Sequence, residues 1–177
     1  IKENQKEDGG WQTEWDTATN PNTTGVILQA LSSLGQFPAA DNWQQPEGNP
    51  LTALIAVQQE NGVFGGEFGN SFSTADAIIG LTGRNINSLG FLEGASDAFD
   101  YLFEMQGPDG GWGNVGQTLD VMLALNAAGW QPNTVSSEGI TPMDFISENL
   151  ISYIEAGPDA IGKSIIGITA AGMDPQN

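Results

Sequence analysis

The sequence predicts an all-α protein built from repeated pairs of antiparallel helices. Three observations lead to this prediction. A glycine-rich motif recurs about every 50 residues, a short apolar segment follows each copy, and strand-like alternation of polar and apolar residues is almost absent. Repeats of this length are typical of supersecondary units that stack on a shared core.

The repeated motif reads Gln-x-x-x-Gly-x-Trp. It occurs in full at residues 5–11 and 106–112, and with phenylalanine in the last place at residues 58–64. A fourth copy, at residues 156–162, has lost both the glutamine and the aromatic residue. Successive copies begin 48 to 53 residues apart, so the motif marks one structural unit that is repeated along the chain.

The segment that follows each motif is apolar and nearly uncharged, and we expect it to form an inner helix that is buried on most sides. The four segments span residues 24–31, 74–81, 118–125 and 162–168. Three of them run into a glycine, at Gly35, Gly129 and Gly172. Glycine is the usual residue for a left-handed C-terminal cap, so we expect these helices to end there.

The segments before the motifs are predicted to be outer, amphipathic helices. Apolar residues at i, i+3 and i+4 precede the motif glutamine in residues 51–58 and 99–106. Asn49-Pro50 and Thr141-Pro142 each supply an N-cap followed by proline at the first helical position, and Asp144 completes a capping box with Thr141. The connectors 35–48 and 129–139 are rich in turn-forming residues and are predicted to be surface loops.

Residues 1–177 are therefore expected to form a single repeat domain with about three and a half helix pairs. The chain opens at Ile1 in what is predicted to be the end of a helix. We interpret it as a segment of a longer chain or as the unit of an open-ended assembly, in which chains join head to tail.

Composition excludes several functions. The chain has 4 Lys plus Arg, 22 Asp plus Glu, no His and no Cys, and its net charge is −18. Such a charge repels nucleic acid and anionic membranes, so neither is an expected partner. Without His or Cys, there is no imidazole base, thiolate nucleophile, disulfide or Cys/His zinc site.

The motif, in phase with four apolar helices, resembles the prenyltransferase and squalene-cyclase (terpene cyclase-like) repeat family, whose members fold as α/α-toroids. The resemblance covers nearly the whole chain and implies a toroid, or an open arc of the same helix pairs. It also implies a structural role for the motif residues, in which the glutamine amide ties helix ends together and the aromatic ring stacks against it. Those residues are Gln5, Trp11, Gln58, Phe64, Gln106 and Trp112.

The catalytic residues of that family have no counterpart here. The cyclases of that family that protonate their substrate carry the motif Asp-x-Asp-Asp-Thr. When its threonine is aligned with Thr24, the positions of the aspartates fall within residues 20–23, which include the amides Asn20 and Asn22 and no acid. The windows before Thr74 and Thr118 also lack an acid. The family's zinc-dependent prenyltransferases bind their metal through side chains that include Cys and His. The α-macroglobulin thioester domains, which share the toroid, need a Cys for the thioester. We therefore expect no catalytic residue, no metal and no cofactor in this segment.

Four residues near the first motif are candidate contacts for a ligand or partner: Trp15, Asp16, Asn20 and Asn22. Trp15 lies outside the motif, so its ring is a candidate platform for a sugar or an apolar ligand. Residues 14–20 also offer several hard oxygens, which are compatible with a calcium loop or with a solvated turn closed by Asx caps. Asp76 and Asp120 occupy matching places early in inner helices, where we expect a favourable interaction with the helix dipole.

The leading hypothesis is a non-catalytic module, secreted or on a bacterial cell surface, that serves self-assembly, scaffolding or partner binding. Its expected partners are other copies of itself or other protein chains. Two alternatives stay open. The first is a toroid that binds a small apolar or cobalamin-like ligand, and the second is a fragment of a divergent terpene cyclase or prenyltransferase-like enzyme.

Overall fold

The computed structural model describes residues 1–66, 69–82 and 89–176, with only the backbone described for residues 89–95. Within these ranges the chain forms α-helices joined by turns and short 3-10 segments, with isolated β-bridges and no strand. The all-α prediction is confirmed. The helices are α1 (Pro21–Ser33), α2 (Pro50–Ala56), α3 (Ser71–Leu81), α4 (Leu89–Glu104), α5 (Val115–Ala127), α6 (Pro142–Ile154) and α7 (Pro158–Ala170).

The helix ends follow the expected capping chemistry. The Asn49 side chain accepts hydrogen bonds from the first turn of α2, and Thr141 forms a capping box with Asp144 at α6. The glycines after α1, α5 and α7 have positive φ angles of 68°, 87° and 77°. The left-handed caps predicted at these glycines are confirmed.

Several helix boundaries differ from the expectation by two to four residues. Helices α1, α3 and α5 each begin three residues before the predicted inner segment, and α4 ends at Glu104, before Gln106. Helix α2 ends at Ala56, so Gln58 lies beyond the helix, in the turn that follows. Helix α7 begins at Pro158, four residues before the predicted start of the last inner segment. The fourth motif copy has lost its glutamine and aromatic residue, and Pro158 is well suited to the first helical position. Helix therefore replaces most of the fourth turn.

The chain divides into two compact units, residues 1–101 and 102–177, with the boundary inside α4. In the first unit α1 packs along α3, and α2 packs against α1. Gly25 and Gly80 lie at the crossing of α1 and α3, where a Cβ on Gly80 would lie 2.7 Å from the Gly25 Cα. The two backbones are therefore in direct contact at this crossing. The single-domain organisation and the toroid stay predictions.

The second unit packs α5 against both α6 and α7. One cluster of buried apolar side chains in this unit consists of Val115, Leu119, Met122, Phe145, Ile146, Ile168 and Ala171. Gly167 of α7 faces the Leu119 side chain, which leaves no room for a Cβ. Among the described helices, none is long and apolar enough to cross a membrane.

Candidate functional site

The motif glutamines make the same hydrogen bond in each repeat. The side-chain nitrogen donates to the carbonyl of the motif glycine, at 2.8 Å for Gln5, 3.1 Å for Gln58 and 2.8 Å for Gln106. The three acceptor glycines have φ angles of 97°, 85° and 84°, which are strained for any residue with a Cβ. The motif therefore closes a tight turn through its glutamine and its glycine.

The two motif tryptophans are buried and tie the turn to the preceding helical segment. The indole Nε1 of Trp11 donates to the Ile1 carbonyl at 3.1 Å, and that of Trp112 donates to the Leu102 carbonyl at 2.6 Å. In both repeats the acceptor lies ten residues earlier in the chain. The side chain of Phe64, which replaces tryptophan in the copy at residues 58–64, is a buried ring without an N–H, so this indole bond has no counterpart there.

In three repeats a buried threonine binds the backbone of the motif aromatic residue, a role that was not predicted from the sequence. The hydroxyls of Thr24, Thr74 and Thr118 accept the backbone N–H of the motif aromatic residue, at 3.0, 3.2 and 2.9 Å. All three threonines are fully buried. The signal that identifies them is an asparagine four residues earlier: Asn20, Asn70 and Asn114, which are the N-caps of α1, α3 and α5.

The four predicted ligand contacts come together at one cleft of the first unit. The cleft has a volume of about 580 Å³ and is lined by residues 15–22, 56–59, 65 and 66, with Ser73. These segments are the turn before α1, the end of α2 and the turn before α3. Sequence reasoning missed the walls formed by the last two segments, because they lie far along the chain from Trp15.

The turn that carries Trp15 is held in place by the Asp16 carboxylate. Its Oδ2 accepts hydrogen bonds from the Thr13 backbone N–H at 2.8 Å and from the Thr13 hydroxyl at 2.6 Å. Its Oδ1 accepts from the Asn20 side chain at 3.1 Å. The hydrogen bonds from Thr13 lower the pKa of Asp16 below its ordinary value. The carboxylate therefore stays ionised and keeps the turn closed at neutral pH.

The two asparagines of the cleft each make a structural bond as well. Asn20 caps α1 by accepting the Thr23 N–H at 2.9 Å. Asn22 donates from its amide nitrogen to the Asp76 carboxylate, also at 2.9 Å. In the described part of the chain, no group of three or more acidic residues is placed to hold a metal ion. The turn at residues 14–20 is thus closed by hydrogen bonds from side chains.

Asp76 and Asp120 tie neighbouring inner helices. Each is the sixth residue of its helix, beyond the first turn where the dipole acts most strongly, so the expected dipole role gives way to a side-chain bond. Asp76 accepts from Asn22 of α1, and Asp120 forms an ion pair of 2.6 Å with Lys163 of α7. Burial raises the pKa of Asp120, although Lys163 opposes this effect. A groove of about 400 Å³ lies beside this ion pair.

No protein-family model, curated protein or solved structure matches this chain. The resemblance to the prenyltransferase and squalene-cyclase repeat family therefore stays a prediction.

Proposed function

We propose that this chain is a non-catalytic repeat module that recognises an extracellular partner through the cleft beside Trp15. The observation that carries the proposal is the Trp15 side chain, which is 85% exposed at the wall of the cleft. The two motif tryptophans, Trp11 and Trp112, are by contrast almost fully buried. Exposure of an apolar indole to water costs free energy, which burial against a partner would recover. Tryptophan is also enriched among the residues that contribute most to binding energy at interfaces.

The rigidity of the turn also supports binding. Three hydrogen bonds to the Asp16 carboxylate fix the residues on both sides of Trp15. A side chain presented on a fixed backbone loses little conformational entropy when a partner binds. A volume of about 580 Å³ lies within the range of about 300–1,000 Å³ that is usual for ligand sites.

A non-catalytic role is supported by the surroundings of the acidic side chains. Each described carboxyl group with a shifted pKa has a structural partner: Thr13 for Asp16, Thr141 for Asp144 and Lys163 for Asp120. A general acid or base must exchange its proton with a substrate, and these groups are already engaged in caps, turns and helix ties. A lysine-poor, acidic composition supports a location outside the cell.

The proposal is tested by measuring binding to an immobilised panel of probes by biolayer interferometry. The panel holds neutral oligosaccharides, a tetra-arginine peptide, a sulfated polysaccharide and the chain itself. The native chain is compared with Trp15→Ala and with a control, Trp130→Ala, which removes a half-exposed tryptophan outside the cleft. We expect at least one probe to bind the native chain and the control but not Trp15→Ala. If no probe distinguishes Trp15→Ala from the control, the cleft is not the recognition site.

A second candidate function, self-assembly, is favoured by exposed apolar side chains on two inner helices. Helix α7 exposes Ile161, Ile165 and Ile166, and α1 exposes Val26, with Leu34 exposed at its C-cap. Inner helices pack side by side within each unit, α1 with α3 and α5 with α7. The exposed face of α7 therefore suits an inner helix of a second copy, in a heterologous contact.

Sedimentation velocity tests this second function. If α7 mediates assembly, the native chain forms oligomers whose population grows with concentration, and Ile165→Asp abolishes them. Ser147→Asp, which adds the same charge to an exposed polar position of α6, serves as the control. A native chain that remains monomeric at high concentration excludes assembly through this face.

A further inference from the structure

The chemistry of the cleft wall identifies the class of ligand that fits it. We propose that the cleft binds a neutral, polyhydroxylated ligand, the sugar residues of a glycan, with one sugar ring stacked on Trp15. This inference rests on the proposed function, because it names the partner of the same cleft. It follows from the charge of the wall, the surroundings of Asp16, the polar side chains and the exposed ring of Trp15. The first three argue against anionic, cationic and apolar ligands, and the ring favours a sugar.

Charge argues against an anionic ligand. The chain carries a net charge of −18, and none of the described lining residues is lysine or arginine. Phosphate, sulfate and carboxylate groups are recognised by such cations or by arrays of backbone N–H groups. Asp16, which lines the cleft as an ionised carboxylate, would repel an anion further.

The surroundings of Asp16 argue against a strongly cationic ligand. It is the one carboxylate among the described lining residues, and its two oxygens already accept three hydrogen bonds from Thr13 and Asn20. The first residues of α1, Pro21 and Asn22, form part of the same wall. The N-terminal end of a helix carries partial positive charge, which disfavours a cation beside it. It offers an anion few free donors, because Pro21 has no N–H and the Thr23 N–H already donates to Asn20.

Polar side chains argue against a purely apolar ligand. The wall contains the amides of Asn22 and Gln59 and the hydroxyl of Thr17. The Asn22 amide nitrogen is engaged by Asp76, and that of Gln59 is engaged by the Gly66 carbonyl. The carbonyl ends of these two amides are then suited to accept hydrogen bonds from a ligand. An apolar ligand would remove them from water without replacement, at about 1–3 kcal/mol for each group.

A sugar is complementary to both the polar side chains and the aromatic ring of the cleft. Its hydroxyl groups donate and accept, which matches amide carbonyls and threonine hydroxyls. Its ring presents an apolar face of C–H groups that covers a flat aromatic side chain. Trp15 offers such a face, since 85% of its surface is exposed on a turn fixed by Asp16.

The test combines a glycan array with titration calorimetry on the full chain. The array carries neutral gluco-, xylo-, manno- and chito-oligosaccharides, and the calorimetry titrates the strongest of them alongside tetra-arginine and a sulfated oligosaccharide. The variants are Trp15→Ala and Gln59→Ala, with Trp130→Ala and Gln131→Ala as matched controls at exposed or half-exposed positions outside the cleft. We expect at least tenfold weaker glycan binding for Trp15→Ala and about three- to tenfold weaker binding for Gln59→Ala, with both controls unchanged.

Three results would overturn the inference, and they separate it from the proposed function. If tetra-arginine or the sulfated oligosaccharide binds in a Trp15-dependent manner and no neutral glycan does, the ligand class is wrong while the cleft remains the recognition site. If a neutral glycan binds Trp15→Ala as strongly as the native chain, the glycan site lies elsewhere. If no probe shows Trp15-dependent binding, both the ligand class and the proposed function fail.

Discussion

The backbone N–H of Trp112 donates to the hydroxyl of Thr118 at 2.9 Å, and both residues are fully buried. The same bond links Trp11 to Thr24 in the first repeat. A buried backbone N–H must find an acceptor, and here the acceptor belongs to the first turns of the next inner helix. The bond therefore fixes the distance between the glycine-rich turn and the helix that follows it.

Replacement of Thr118 tests the importance of this bond. Thr118→Val keeps the shape of the side chain but leaves the Trp112 N–H without its acceptor, so we expect the free energy of unfolding to fall by about 1–3 kcal/mol. Urea denaturation followed by far-UV circular dichroism measures the change. Thr118→Ser retains the hydroxyl and is expected to lose less. Equal losses for the two variants would show that packing, and not the hydrogen bond, determines the effect.

Removal of a motif glutamine tests the turn closure. Gln106 donates to the Gly110 carbonyl at 2.8 Å, and loss of a neutral hydrogen bond of this kind lowers stability by about 1 kcal/mol. Gln106→Ala is therefore expected to shift the urea midpoint downward. Gln131→Ala, at an exposed position, is the control and is expected to leave the midpoint unchanged. A stability of Gln106→Ala equal to that of the control would contradict a structural role for the motif.

Two glycine substitutions in helices are expected to have opposite signs. Gly80→Ala places a methyl group 2.7 Å from the Gly25 Cα, so the α1–α3 contact must open, with a loss of about 1–3 kcal/mol. Gly162→Ala in α7 meets nothing within 4 Å and is expected to gain about 0.5–1 kcal/mol from helix propensity. Thermal unfolding of both variants measures the sign and size of each change in stability. A gain for Gly80→Ala would contradict the close helix crossing.

The pH dependence of stability is expected to reflect the burial of Asp120. Because burial raises its pKa above the ordinary value of 3.8, the folded chain retains this proton to a higher pH than the unfolded chain. The contribution of this carboxyl to stability therefore falls as the pH rises through the folded pKa. Relative to Asp120→Asn, the native chain should lose stability as the pH rises from the ordinary carboxyl pKa of 3.8 through the higher pKa of the folded state.

The matched control for this measurement is Asp159→Asn, which makes the same change in net charge at an exposed position of α7. Urea midpoints at several pH values, compared among the three chains, report the difference. A native chain that gains stability relative to Asp120→Asn over this range would show that the attraction of Lys163 outweighs burial.

Local chemistry made the helix ends predictable from the sequence. Proline after Asn49 and after Thr141 marks helix starts, and glycine after α1, α5 and α7 marks helix ends, because these residues have strong backbone preferences. The ends expected for α2 and α4 were two residues late, because the motif glutamine was counted with the helix. The starts expected for the inner helices were three or four residues late. In three of these helices the N-cap asparagine was not recognised as the helix start.

The contacts that join segments were less predictable. The threonine that accepts the aromatic N–H lies 13, 10 and 6 residues after it in the three repeats, so no fixed spacing reveals the pair. The candidate contacts on the Trp15 side of the cleft could be named from the sequence because they are close neighbours in it, although the cleft itself was not predicted. Gln59 and Gly66 were missed because tertiary packing alone brings them to the same cleft.

Fluorine NMR of the chain labelled with 5-fluorotryptophan reports whether Trp15 contacts the ligand. Each of the five tryptophans gives one resonance, and Trp15→Phe assigns that of Trp15. On titration with the neutral oligosaccharide that binds most strongly, the Trp15 resonance is expected to shift while those of Trp112 and Trp130 stay in place. Saturable binding that leaves the Trp15 resonance unmoved, or no shift at any glycan concentration, would contradict the account.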